Sequence, residues 1–324
     1  MIGAIVVLTS VGLLAWQPDP AMLGKLYAEA LERNKQQYGA SDARTAQAAR
    51  DLGLFLSKHG AADGARKVLI ELVRLDESFL GATGTVTFAD VASLASVSPP
   101  NAAEPLWRRA SQSPDQTVAA RAFAALGHLR ETAGDQSGAV RFYAEALTRE
   151  ESALQEATAI EERARLAILM SGVAQVFGQV AEPAQGVAAL RRALAIDRSV
   201  LGPRHPETGT VQANLAGVLL DANAVNESVP LITEAIPILE ETLGDDHPRV
   251  AISASILAHG LRSRGDFAGA EKNYRRALAI DERAYGPKHP QTLEDVRTLA
   301  EFLRDRGRIP EAAVLEKRLV NAAR

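Results

Sequence analysis

The chain has no cysteine among its 324 residues, only three methionines, and aromatic side chains at just 5%. The missing cysteine excludes disulfides, thiol nucleophiles and cysteine-ligated zinc, although it leaves the compartment open. Positive charge is not in excess either. Net charge is −4 and the pI about 5.9, so no bulk electrostatics favour nucleic acid, and none is expected as a partner. No glycine-rich phosphate loop, HExxH or GxSxG is present, and the plentiful carboxylates, such as Glu161-Glu162 and Asp245-Asp246, read as solvated helix faces rather than acid/base pairs. Neither catalysis nor a cofactor is expected.

Long hydrophobic runs are lacking except at the start. Ile2 to Trp16 carries no charge and ends at Gln17-Pro18-Asp19-Pro20. Fifteen residues fall short of the roughly 20 that span a bilayer as a helix. The segment reads as a secretory signal over residues 1–17, cleaved after Ala15 or Gln17. An uncleaved anchor and a buried N-terminal helix are the alternatives. Cleavage implies an exported, periplasmic or extracellular protein. Retention implies one touching the membrane through this segment alone.

What the chain has in abundance is repetition. Residues 191–208 (RRALAIDRSVLGPRHPET) and 275–292 (RRALAIDERAYGPKHPQT) share 12 of 18 positions at an offset of 84 residues, and LGDDHPRV (243–250) fills the midpoint. His205, His247 and His289 thus stand 42 residues apart. A period of this length marks a repeat architecture. Small residues extend the count: Ala30, Leu72, Ala110, Ala146, Ala193, Ala235, Ala277 and Leu319 anchor successive helices, with Tyr27, Leu69, Trp107, Tyr143, Leu190, Ile232, Tyr274 and Glu316 three residues before each. Small and large residues at helical spacing let one helix face lie close to its neighbour around a bulky knob. A second register, Gly53, Val91, Gly127, Ala174, Ala216, Ala258 and Ala300, runs 19 residues ahead of the paired anchors. Each unit therefore reads as helix–turn–helix, with no convincing strand.

These positions resemble the tetratricopeptide repeat. The 42-residue form with Leu/Tyr-Gly-x-x-His-Pro between units is similar to the kinesin light chain type. The resemblance covers seven units from about residue 40, with half a unit before, and is strongest beyond about residue 155. It implies an all-α, right-handed superhelical solenoid of tetratricopeptide helix–turn–helix repeats over residues 18–324, with a concave groove lined mainly by first helices. The implied function is a non-catalytic scaffold holding a protein or peptide partner. A membrane-anchored assembly factor and a regulatory or accessory module of an enzyme complex remain alternatives.

The histidine ladder does not read as a metal site. Zinc needs its ligands within about 2 Å of one ion, whereas equivalent residues of stacked helices lie at least about 8–10 Å apart. Each histidine is instead expected to fix the turn before Pro206, Pro248 or Pro290. Projected onto the family's concave positions, the first-helix register selects Arg50, Arg121, His128, Gln175, Asn214, His259, Arg262, Arg297 and Arg304 as candidate partner-binding residues, with Glu131 and Glu301 beside them. The family's concave asparagine, which pairs with peptide backbone, is kept only at Asn214. Asp51, Ile256 and Thr298 replace it in other clear units. Arg262, Arg297 and Arg304 would favour acidic ligands unless they belong to ordinary paired helix faces.

Overall fold

Helix follows helix in the computed structural model, which describes residues 19–322. The segment read as a signal lies outside the described residues. The helices are α1 (Pro20–Tyr38), α2 (Ala43–Lys58), α3 (Ala62–Leu80), α4 (Thr85–Ser96), α5 (Pro100–Ala110), α6 (Gln116–Thr132), α7 (Gln136–Glu156), α8 (Ile160–Val180), α9 (Pro183–Val200), α10 (Pro206–Asp221), α11 (Val225–Leu243), α12 (Pro248–Ser263), α13 (Phe267–Tyr285), α14 (Pro290–Asp305) and α15 (Ile309–Ala322). No strand occurs among the described residues. The chain divides near Arg109 into two compact units, α1–α5 and α6–α15. Within the second unit, α6/α7, α8/α9, α10/α11, α12/α13 and α14/α15 pack as pairs, and α2/α3 do so in the first.

The packing register is the one the sequence predicts. Leu69, Tyr143, Leu190, Ile232 and Tyr274 are buried on second helices. The small residues of the first helices make room for them. A Cβ built on Gly53 would lie 2.8 Å from Leu69, and one on Gly127 2.8 Å from the Tyr143 ring. The two helices of a pair can approach this closely only because those positions lack a side chain.

The junctions between pairs are fixed by three devices. Second helices α11 and α13 end at Gly244 and Gly286, whose φ of 91° and 87° suit glycine alone at low cost. Three residues after such a glycine, His205, His247 and His289 act as N-caps, each Nδ1 accepting from the backbone N–H two residues on at 3.1–3.2 Å. Proline follows at the first helical position of α10, α12 and α14, where its missing N–H is no loss. This confirms the histidine ladder as punctuation. The third device is threonine: the hydroxyls of Thr45, Thr87, Thr208 and Thr292 donate to the carbonyls of Gly39, Gly81, Gly202 and Gly286 at 2.8–3.0 Å. Each threonine ties a first helix to the turn that precedes it.

Candidate functional site

In the second unit α6 meets α8, α8 meets α10, and α10 meets α12, so first helices lie side by side and present a common face. Two hollows open on it. One, of about 110 Å³, lies between α10 and α12 over Leu239, with Ala213, Asn214 and Ser253 on its walls and Gln175 and Arg249 at its rim. Gln175 Nε2 donates to Glu207 Oε1 at 3.2 Å and Arg249 Nη1 to Thr210 Oγ1 at 2.7 Å, which hold those side chains in place. The other, of about 560 Å³, lies between α6 and α8. Its floor is Val173 and Val176, its apolar edge Ile168 and Leu169, and its polar edge His128 and Glu131. Tyr143 Oη donates to Glu131 Oε2 at 2.8 Å, and His128 Nδ1 stands 3.7 Å from the same oxygen. Burial and the Glu131 carboxylate raise the Tyr143 pKa, so the phenol stays a donor.

Three of the residues selected from the sequence line these hollows. Gln175 and Asn214 share one hollow, and His128 lines the other. An amide such as Asn214 offers a donor and an acceptor at once, the combination that matches a peptide bond. The remaining candidates stand elsewhere. Arg50, in the first unit, is bound internally: Nη2 donates to Asp76 Oδ2 at 2.9 Å and to Asp90 Oδ2 at 2.8 Å, and Nε to Asp90 Oδ1 at 3.0 Å. Arg262 pairs with Asp305, Arg297 with Glu294 and Arg304 with Glu316. Partly exposed pairs of this kind hold little energy, so an acidic ligand can still compete for them. His259 rests edge-on against Tyr274, with centroids 5.1 Å apart, and burial together with Arg262 lowers its pKa. Arg121 lies exposed on α6.

Sequence reasoning missed a row of buried acids. Asp76, Glu150, Asp197 and Asp281 are each at most 5% exposed, and each falls four residues after an anchor: Leu72, Ala146, Ala193 and Ala277. That spacing was the available signal, since it puts a carboxylate on the inward helix face. Burial pushes Glu150 up to about 8 and Asp197 up to about 6, Ser171 opposing the latter by donating to Asp197 Oδ2 at 2.8 Å. Burial and Asp90 push Asp76 up to about 7 against the pull of Arg50. Burial raises Asp281, and burial with the Asp281 charge brings its neighbour Asp295 up to about 7. No group of three or more metal-ligating side chains is placed to hold an ion among the described residues. No described helix is long and apolar enough to cross a membrane.

Helix pairs with small residues beneath bulky knobs, glycine-ended second helices and a first-helix face with hollows define a tetratricopeptide repeat solenoid. The family's profile matches residues 165–241, 214–282 and 249–324, and residues 165–324 are tetratricopeptide repeats. Among solved structures it is similar to the nearly identical repeats of a Podosopora anserina protein assigned as a kinesin light chain, at 22% identity over 62% of this chain and 93% of that one, TM-score 0.50. It is also similar to BtubC (BKLC) from P. vanneervenii, at 19% identity over 69% and 88%, TM-score 0.54. A Rap protein complexed with Competence and Sporulation Factor matches at 16% identity over 93% and 77%, TM-score 0.51. At these identities the likeness is one of fold. A comparison with curated proteins finds no match.

Proposed function

We propose that this chain is a non-catalytic scaffold that holds an extended segment of a partner protein against the first-helix face of α6, α8, α10 and α12. The observation that carries this reading is the exposure of Ile168, Leu169 and Ile252, each at least 40% accessible, at the edges of the two hollows on that face. Apolar side chains beside concave space, with a few placed polar groups such as Asn214, Gln175 and His128, are what a binding surface requires. A pre-formed helical face loses little freedom on binding, so modest contacts add up to useful affinity. The Rap protein solved with its factor gives the fold a precedent for holding a ligand.

Selection of a displayed random dodecapeptide library on the purified full chain tests the reading. Peptides should be enriched, and Leu169→Glu or Ile252→Glu should weaken the selected peptides at least tenfold. Lys272→Glu, on a second helix, should leave them unchanged. Equal retention by all three variants contradicts the assignment. We further propose, from the composition of residues 2–16, that the chain is exported; an intact Met1 in the mature protein contradicts cleavage.

A further inference from the structure

The repeat allows one position to be compared with itself along the chain. Counted from the glycine that ends a second helix, the residue five before it, the residue nine after it and the residue eleven after the preceding such glycine hold equivalent places at three junctions. In the first unit these are Asp76, Asp90 and Arg50, counted from Gly81 and Gly39. Near the end of the chain they are Asp281, Asp295 and Ser255, counted from Gly286 and Gly244. Between them come Leu239, Ser253 and Ala213. The three sets hold the same place and differ in what fills it.

At the first set the space is filled from within. The Arg50 guanidinium bonds both carboxylates while its side chain stays 22% exposed, so it reaches the acids from the edge of solvent. The guanidinium sets its charge against both acids. At the middle set the acids are gone, and Ala213, Leu239 and Ser253 line the open hollow of about 110 Å³. At the last set the two acids return without the arginine. The carboxyls of Asp281 and Asp295 act on each other, buried to 1% and 8% exposure, and Oδ1 of Asp281 and Oδ2 of Asp295 have no partner. Even with one proton retained, the pair carries a negative charge that no arginine balances. The charged neighbours acting on it are His289, near Asp281, and Glu294, near Asp295, and neither takes the place of a guanidinium. A buried carboxylate with an unsatisfied oxygen costs free energy until a donor arrives.

We propose that Asp281 and Asp295 form a receiving site for an arginine side chain of the bound partner, which enters above Ser255 and makes the contacts that Arg50 makes at Asp76 and Asp90. Arginine fits better than lysine because its flat fork supplies several donors in one plane to two carboxylates. The small side chain at position 255 is what leaves the acids to a ligand. At the Asp197 junction the residue in the same first-helix register, three before Ala174 as Ser255 is three before Ala258, is Ser171; its hydroxyl donates to Oδ2 of the single acid there while Oδ1 has no partner, and one carboxylate lacks the pair that a guanidinium fork bridges. Only the source of the arginine rests on the scaffold reading above.

The full chain, labelled with carbon-13 at aspartate, is titrated with N-acetyl-L-arginine methylamide at pH 7.5 and fixed ionic strength, with N-acetyl-L-leucine methylamide as control. The carboxyl signals of Asp281 and Asp295 should shift saturably with the arginine probe alone. Ser255→Arg, which supplies the missing guanidinium from within, and Asp295→Asn, which removes one carboxylate, should each weaken the response at least tenfold. Should Ser255→Arg not fold, Asp295→Asn carries the comparison. Unmoved Asp281 and Asp295 signals, or equal saturation in a folded variant, overturn the proposal. Peptides selected by the chain without arginine, together with unmoved signals, sink this site and leave the scaffold standing. A saturable probe response with no peptide selected does the reverse.

Discussion

Glu150→Gln should stabilise the protein at pH 8 and leave it nearly unchanged at pH 5. Glu150 sits on α7 at 5% exposure, and its Oε2 has no partner. Burial alone pushes it from 4.5 up to about 8. The folded value lies above the unfolded one, so the folded chain keeps a proton that the unfolded chain releases. Stability from this group is therefore full below pH 4.5, falls as pH rises, and levels off above 8. Each decade of proton affinity is worth about 1.4 kcal/mol, which gives about 5 kcal/mol at most across that window. Glutamine has the same shape and no proton to lose. Urea denaturation of both proteins at pH 5, 6, 7 and 8 should show their unfolding free energies within about 1 kcal/mol of each other at pH 5. At pH 8 the variant should lead by about 3–5 kcal/mol. Parallel pH profiles refute the reasoning, because a neutral buried Glu150 cannot coexist with a pH-independent difference.

Further perturbations follow from single contacts. Arg50→Ala strands Asp76 and Asp90 in the first unit and should cost about 3 kcal/mol, more at pH 8 than at pH 5 because the raised Asp76 carboxyl takes a proton at low pH; thermal melts at both pH values check it. Gly127→Ala puts a methyl 2.8 Å from the Tyr143 ring and should cost about 1–3 kcal/mol by overpacking, read from the urea midpoint. His289→Ala removes the acceptor for the Gln291 N–H and should cost about 1 kcal/mol, with faster amide exchange confined to the first turn of α14.

The fold was legible because the repeat states it several times over. Leu69, Tyr143 and Ile232 announce a knob, Gly53, Gly127 and Ala216 announce the space for it, and Gly-x-x-His-Pro marks three of the junctions. One turn escaped this pattern: Asn223 adopts φ 59° where other turns place glycine, and asparagine carries a weaker signal for that conformation. The candidate site was legible in part. Gln175, Asn214 and His128 reach the hollows because first-helix register alone decides which way they face. The state of the arginines was not, since whether Arg50 meets a ligand or Asp76 and Asp90 depends on residues 26 and 40 positions away. The buried acids were overlooked because a charged residue on a helix usually faces water. Their position four residues after an inward-facing anchor outweighed that expectation.

Hydrogen–deuterium exchange of the full chain, with and without a peptide selected from the displayed library, tests the central claim most directly. The account predicts slower exchange within residues 160–180, 206–221 and 248–263, the first helices α8, α10 and α12, and little change in α9, α11 and α13. Protection concentrated on those second helices instead would contradict it.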